Sequence, residues 1–268
     1  MKVLLTGATG FIGQHVARLL KEKNIDFITI GRTKPLTKNP HINADLLLTE
    51  NFEDIISKAK VSHLIHLAWF AKHGEYWSSP YNADWIEATI KLTESFCKNG
   101  GKGIVMAGSC AEYDWSYETC NELSTPANPK TIYGKAKNKT RKLVFSICEK
   151  YHVPCSWGRL FFPFGANENP KRLIPSLISV FLDKRPPFGV NVNAYRDFLY
   201  VSDAADAFIF LLLSGCSGIF NISSGKPVKI SYLVDKIANY LDANPEIVNE
   251  LQSERPDDPN ILVGDEKN

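Results

Sequence analysis

The chain has no C-x-x-C pair and no H-x-x-x-H pair. Its 6 cysteines (Cys97, Cys110, Cys120, Cys148, Cys155 and Cys216) are scattered, and its 6 histidines form no ligand spacing. A metal site is therefore not expected, and the cysteines read as free thiols in a reducing compartment. Neither sign of charge is in excess: Lys and Arg number 31, Asp and Glu 29, for a net +2, mixed along the chain. That removes the electrostatic case for nucleic acid or an anionic membrane surface as partner. No stretch approaches the roughly 18 consecutive apolar residues of a membrane span. The opening "MKVLLTGATG" breaks into Thr-Gly too early for a signal-peptide core of about 7–15 residues. We read it as a buried first strand and expect a cytoplasmic protein.

What is present is a regular alternation. With 268 residues, 44% of them hydrophobic, the chain can bury a core without staples. Apolar runs at 2–5, 26–30, 63–69, 103–109 and 153–161 read as strands. Segments 11–24, 85–100 and 131–151 carry helical spacing between them. Strands alternating with helices of this length predict an α/β fold, a parallel sheet with helices on both faces. Beyond residue 162 the texture turns rich in Pro, Asn and Gly. Helices are expected over 172–183 and 231–241, and 196–213 reads as a strand and helix returning to the main sheet. The expected division is 1–161 for the main domain, with 196–214 returning to it. A small interleaved lobe takes 162–195 and 215–268.

"TGATGFIG" places Gly7, Gly10 and Gly13 between the first strand and the first helix. Such glycines permit a tight turn, close approach of a pyrophosphate and close helix–strand packing, while the helix N-terminus offers free N–H groups. The context predicts a dinucleotide site on a Rossmann-type, doubly wound sheet. At the end of the second strand stands Arg32, with no Asp or Glu to meet an adenosine ribose. A guanidinium suits a 2′-phosphate, which favours NADP(H) while leaving NAD(H) open.

The G-x-x-G-x-x-G spacing resembles the short-chain dehydrogenase/reductase superfamily, and the stretch is close to the form seen in its extended branch, the NAD-dependent epimerase/dehydratase family. The resemblance implies cofactor contacts from Thr9, Phe11 and Ile12 beside the glycines. In "NADLL" it implies Asp45 and Leu46 at the adenine ring, and in "HLAW" Leu67 and Ala68 along the cofactor backbone. In that superfamily a Tyr and a Lys one helical turn apart form the active site. Here they are Tyr133 and Lys137, which share a helix face at i, i+4. A neighbouring ammonium is expected to favour the phenolate. "VMAGSCAEYDW" resembles the family's Ser/Thr-x-x-x-Tyr-Gly motif, placing a third hydroxyl at Ser109. Its next residues, Cys110 and Ala111, stand where dehydratases of the family carry Asp-Glu, which disfavours dehydration. Trp85 stands where the family has an Asn.

On the substrate side, "RDFLYVSDAADA" resembles the family's Arg-Asp-Phe-x-x-Val-x-Asp, which makes Arg196 a candidate for a nucleotide-sugar diphosphate. Arg255 in "ERPDD" is a second candidate. Cys110, Trp69 and His73, the last two in the aromatic loop 68–81, are candidate substrate contacts. The resemblance thus implies NADP(H)-dependent reduction of a nucleotide-linked keto sugar of 4-keto-6-deoxyhexose type. The alternatives are a nucleotide-sugar 4-epimerase with tightly bound NAD and a non-catalytic dinucleotide-binding regulator. Pairing of the 85–100 and 131–151 helices would give a homodimer.

Overall fold

The computed structural model describes residues 1–253 and 258–265. In chain order it runs β1 (Lys2–Thr6), α1 (Phe11–Glu22), β2 (Asp26–Gly31), β3 (His41–Asn43), α2 (Phe52–Ala59), β4 (His63–His66), α3 (Tyr81–Lys98) and β5 (Gly103–Ser109). A single 3-10 turn, Cys110–Glu112, follows, then β6 (Thr119–Cys120), α4 (Ile132–Lys150) and β7 (Cys155–Leu160). The remainder is β8 (Pro163–Phe164), α5 (Leu173–Phe181), β9 (Tyr195–Asp197), β10 (Leu199–Tyr200), α6 (Val201–Ser214) and β11 (Gly218–Ile222), followed by β12 (Pro227–Lys229), α7 (Ile230–Tyr240), α8 (Glu246–Asn249) and β13 (Ile261–Gly264).

Seven strands form one sheet in the order β11-β7-β5-β4-β1-β2-β3, every pair parallel. Side chains alternate across such a sheet. In β1, Leu4 joins the core beneath α2, α3 and α4, with Phe52, Phe96 and Val144. Its neighbours Val3 and Leu5 join the opposite core beneath α1 and α6, with Leu20 and Phe208. Helices thus cover both faces, as the alternation in sequence predicts, and the architecture is the Rossmann-type doubly wound fold.

A second unit is built on the four-stranded sheet β12-β9-β13-β6 and on the α5–α7 pair, whose core holds Leu177, Val180, Ile230 and Val234. The buried carboxylate of Asp197 stitches it together. It accepts from Ser224 N and Oγ at 2.7 Å each, from Gly225 N at 2.9 Å and from Gly264 N at 3.1 Å. Among the described residues no helix is long and apolar enough to cross a membrane.

Three expectations change. Residues 218–222, placed in the small lobe from sequence, form the edge strand β11 of the main sheet, in register with β7 from Gly218–Ser156 to Ile222–Leu160. Conversely, β6 and the Arg196–Asp197 part of β9 lie in the lobe sheet, although 119–120 and 196–197 were expected in the main domain. The strand expected over 63–69 stops at His66. Thr6 Oγ1 captures the N–H groups of Leu67 and Ala68, both at 3.1 Å, which turns them out of the ladder.

Candidate active site

A cavity of about 780 Å³ opens at the carboxyl ends of β1, β2, β4, β5 and β7 and continues against the small lobe. That is where ligands bind in open α/β sheets. Every site residue nominated from the sequence lines it except Arg255, which lies outside the described residues.

At one end the wall is backbone. Gly10 caps α1 without any side-chain hydrogen bond, and the first turn of α1 carries no acidic residue. The unmet N–H groups and the positive end of the helix dipole face the cavity there. A Cβ at Gly13 would collide with the Gly7 carbonyl, so the helix can sit this close to the loop only with glycine. An uncapped helix start without anions fits a dinucleotide pyrophosphate. Thr9, Phe11 and Ile12 extend this wall, and Leu46, Leu67 and Ala68 line the next stretch. Arg32 sits at the end of β2 with its side chain 76% exposed, its guanidinium 3.9 Å from the Asp45 carboxylate. The two candidates for the adenosine end are therefore neighbours.

Ser109 ends β5, and α4 brings Tyr133 and Lys137 to it. Thr131 caps α4 by accepting the Gly134 N–H at 3.0 Å. A Cβ at Gly134 would strike the Ala111 carbonyl, so glycine lets this helix start press onto the Cys110–Glu112 turn. Ser109 and Tyr133 thereby line the same cavity, the serine hydroxyl accepting the Ala111 N–H at 3.2 Å. Aromatic edges close around the phenol: the ring of Tyr133 meets that of Tyr76 at 4.9 Å and that of Trp77 at 5.7 Å, both T-shaped. The loop bearing them is tied down by Tyr133 N–H donating to the Trp77 carbonyl at 3.1 Å.

Electrostatics depart from expectation at Tyr133. Desolvation, with Tyr76 next, pushes its pKa upward, and the Ser109 hydroxyl only partly offsets this. The expected phenolate-favouring ammonium is engaged elsewhere. Lys137 Nζ donates to the Ala107 carbonyl at 2.9 Å and lies 3.8 Å from the centre of the Trp69 ring. Its side chain is almost wholly buried, and desolvation lowers its pKa to about 7 against the opposing pull of Glu112. Burial likewise keeps the Cys110 thiol protonated.

Glu112 had no assigned role in the sequence and proves central. It is fully buried and accepts from Ser109 N at 2.9 Å, from Trp157 Nε1 at 2.8 Å and from Arg159 Nε at 3.1 Å. The signal was legible: Ser109 and Glu112 have capping-box spacing, and both halves of that box form.

Toward the lobe, Arg196 reaches the cavity but is already paired, 2.8 Å from Asp258 and donating to the Tyr195 carbonyl at 2.8 Å. Lys171 and Arg185, which the sequence did not single out, line the same end. His73 is exposed at the rim, and Trp69 lies against Lys137 inside.

The chain matches the model of the NAD dependent epimerase/dehydratase family over residues 3–223. It belongs to that family. Among curated relatives it is 24% identical, over 98% of this chain and 86% of the relative, to UDP-glucose 4-epimerase of Halalkalibacterium halodurans. It is 26% identical, over 88% of this chain and 89% of the relative, to dTDP-6-deoxy-L-talose 4-dehydrogenase (NAD(+)) of Aggregatibacter actinomycetemcomitans. The solved structure of MoeE5 in complex with UDP-glucuronic acid and NAD superposes with a TM-score of 0.85 at 25% identity, covering 100% of this chain and 90% of that one. This epimerase/dehydratase-family chain is thus an enzyme of the extended short-chain dehydrogenase/reductase type.

Proposed function

We propose that the protein is a nucleotide-sugar 4-epimerase. The observation that carries this is the meeting of Ser109, Tyr133 and Lys137 in one cavity that runs from the glycine loop to the cations of the small lobe. The resemblance in sequence favoured one-way reduction. The order reverses here because a curated relative spanning 98% of the chain is a 4-epimerase. One-way redox at the same carbon stands second, favoured by the talose 4-dehydrogenase relative and by Arg32.

When bound, NAD supplies a hydride acceptor and donor and a positive charge that favours the Tyr133 phenolate. The Gly10–Gly13 backbone would hold its pyrophosphate, and Arg32 gives the site the means to take a 2′-phosphate and so NADP(H). Tyr133 takes the proton from the C4 hydroxyl as that carbon is oxidised. It gives the proton back to the alkoxide formed when hydride returns to the other face. Ser109 hydrogen-bonds the same oxygen and orients it. Lys137 holds the cofactor ribose, and Arg196 with Arg185 meets the diphosphate.

Tyr133→Phe tests the role of the phenol. Turnover should fall by at least about a hundredfold, the loss expected for a general acid–base, while NADH affinity stays within about twofold. Retained turnover would remove Tyr133 from the mechanism.

A further inference from the structure

Trp69 was nominated as a substrate contact, yet its geometry points elsewhere. Its ring face lies 3.8 Å from Lys137 Nζ. Its Nε1–H donates to Asn82 Oδ1 at 2.9 Å. Asn82 is itself fully buried, its Nδ2 donating to the carbonyls of Tyr76 at 2.8 Å and Ser79 at 3.0 Å. The Trp85 ring packs near Trp69, centroids 6.0 Å apart and tilted by 30°. The indole is thus held at its Nε1–H edge and packed beside Trp85, with a buried ammonium over its ring. The same ammonium donates to the Ala107 carbonyl at 2.9 Å.

We propose that Trp69 is a positioning residue for Lys137: its indole, anchored by Asn82 and packed beside Trp85, fixes the ammonium against the Ala107 carbonyl and favours its charged form. The face of an indole is electron-rich, and the attraction to a cation grows as water is excluded. At this site Lys137 has lost nearly all its water. The charged and titratable groups facing it are Glu112 on the turn after β5, His66 on β4 and Tyr133 one helical turn earlier on α4. Of these Glu112 favours the ammonium, and neutral His66 neither favours nor opposes it. Trp69 adds a second favourable contact without adding a second negative charge. The Tyr76–Ser79 segment fixes Asn82 and also meets the Tyr133 ring and backbone, so one loop sets the positions of both α4 residues.

The cofactor consequence of this placement rests on the role given to Lys137 above, and the test separates the two. The Lys137 titration is followed in the ligand-free protein by the 13Cε shift of labelled lysine, with Lys137→Met identifying the signal. NADH affinity is measured on the same proteins across pH 6–9. Trp69→Leu should lower the Lys137 midpoint by about 0.5–1 pH unit, and Trp69→Phe, which keeps a ring face, should restore most of it. The pH above which NADH affinity declines should move with that midpoint. An unchanged midpoint in a folded Trp69→Leu protein overturns the inference. A midpoint that moves while NADH affinity stays level supports the Trp69–Lys137 placement and counts instead against Lys137 as the cofactor's ribose contact.

Discussion

Glu112 accepts the backbone N–H of Ser109 at 2.9 Å from a position with no solvent exposure. Its second oxygen accepts from Arg159, itself buried. The serine that would orient the sugar oxygen is therefore aimed by a buried ion pair rather than by the strand alone.

Removing one partner of such a pair leaves the other charge buried and unmatched. Glu112→Ala should destabilise the protein by about 3–5 kcal/mol in urea unfolding, through Arg159. Glu112→Gln keeps an acceptor for the Ser109 N–H and should lose less. Gln leaves the Arg159 charge as unmatched as Ala does, so a Glu112→Gln protein as stable as the parent would contradict a charge-based role.

His66 gives a pH signature. It bridges Thr6 Oγ1 at 2.9 Å and Thr89 Oγ1 at 3.0 Å. Thr6 Oγ1 accepts the Leu67 and Ala68 N–H groups, so its own proton goes to His66 Nδ1, and Nε2–H donates to Thr89. Burial, with the charge of Lys137 second, lowers the His66 pKa from 6.5 to about 3. The depressed value sets the sign: the contribution of neutral His66 is complete above pH 6.5 and is lost as pH falls toward 3. Unfolding free energy should decline over that window by up to about 1.4 kcal/mol per pH unit from this group. His66→Gln should be less stable at pH 7 and should lose that part of the slope; an unaltered slope would contradict the assignment.

We propose that Arg32 lets the site take a dinucleotide carrying a 2′-phosphate. Arg32→Ala should lower NADPH affinity by about ten- to a hundredfold, the range for a charge-assisted contact, and leave NADH affinity within about twofold. Parallel losses for both cofactors would show that Arg32 merely covers the adenine.

The sheet and the glycine loop were legible because their signals are local: apolar runs, helical spacing and three glycines at one strand–helix junction. Ser109, Tyr133 and Lys137 were legible through a resemblance, and helix geometry supplied the i, i+4 relation. Pairings between distant segments were not. Thr6 ends β4 through a hydroxyl far away in the chain, and no run of residues near 66 announces it. Strand β11 joins the main sheet because β7 offers it an edge, which composition near 218 does not show. The direction of a side chain was equally hidden. Trp69 reads as one more aromatic in a loop, and only the fold turns its face to Lys137. Desolvation at Tyr133 followed from the Tyr76 and Trp77 rings closing around it, which is a property of packing.

The most direct measurement is NMR of UDP-hexoses incubated in deuterated water with the purified protein and NAD, with Tyr133→Phe alongside. Epimerisation by returned hydride predicts interconversion of the two C4 configurations, no deuterium at C4 and no net change in NAD. Stoichiometric conversion of NAD to NADH, or a C4 centre that never inverts in any UDP-hexose, would contradict the account.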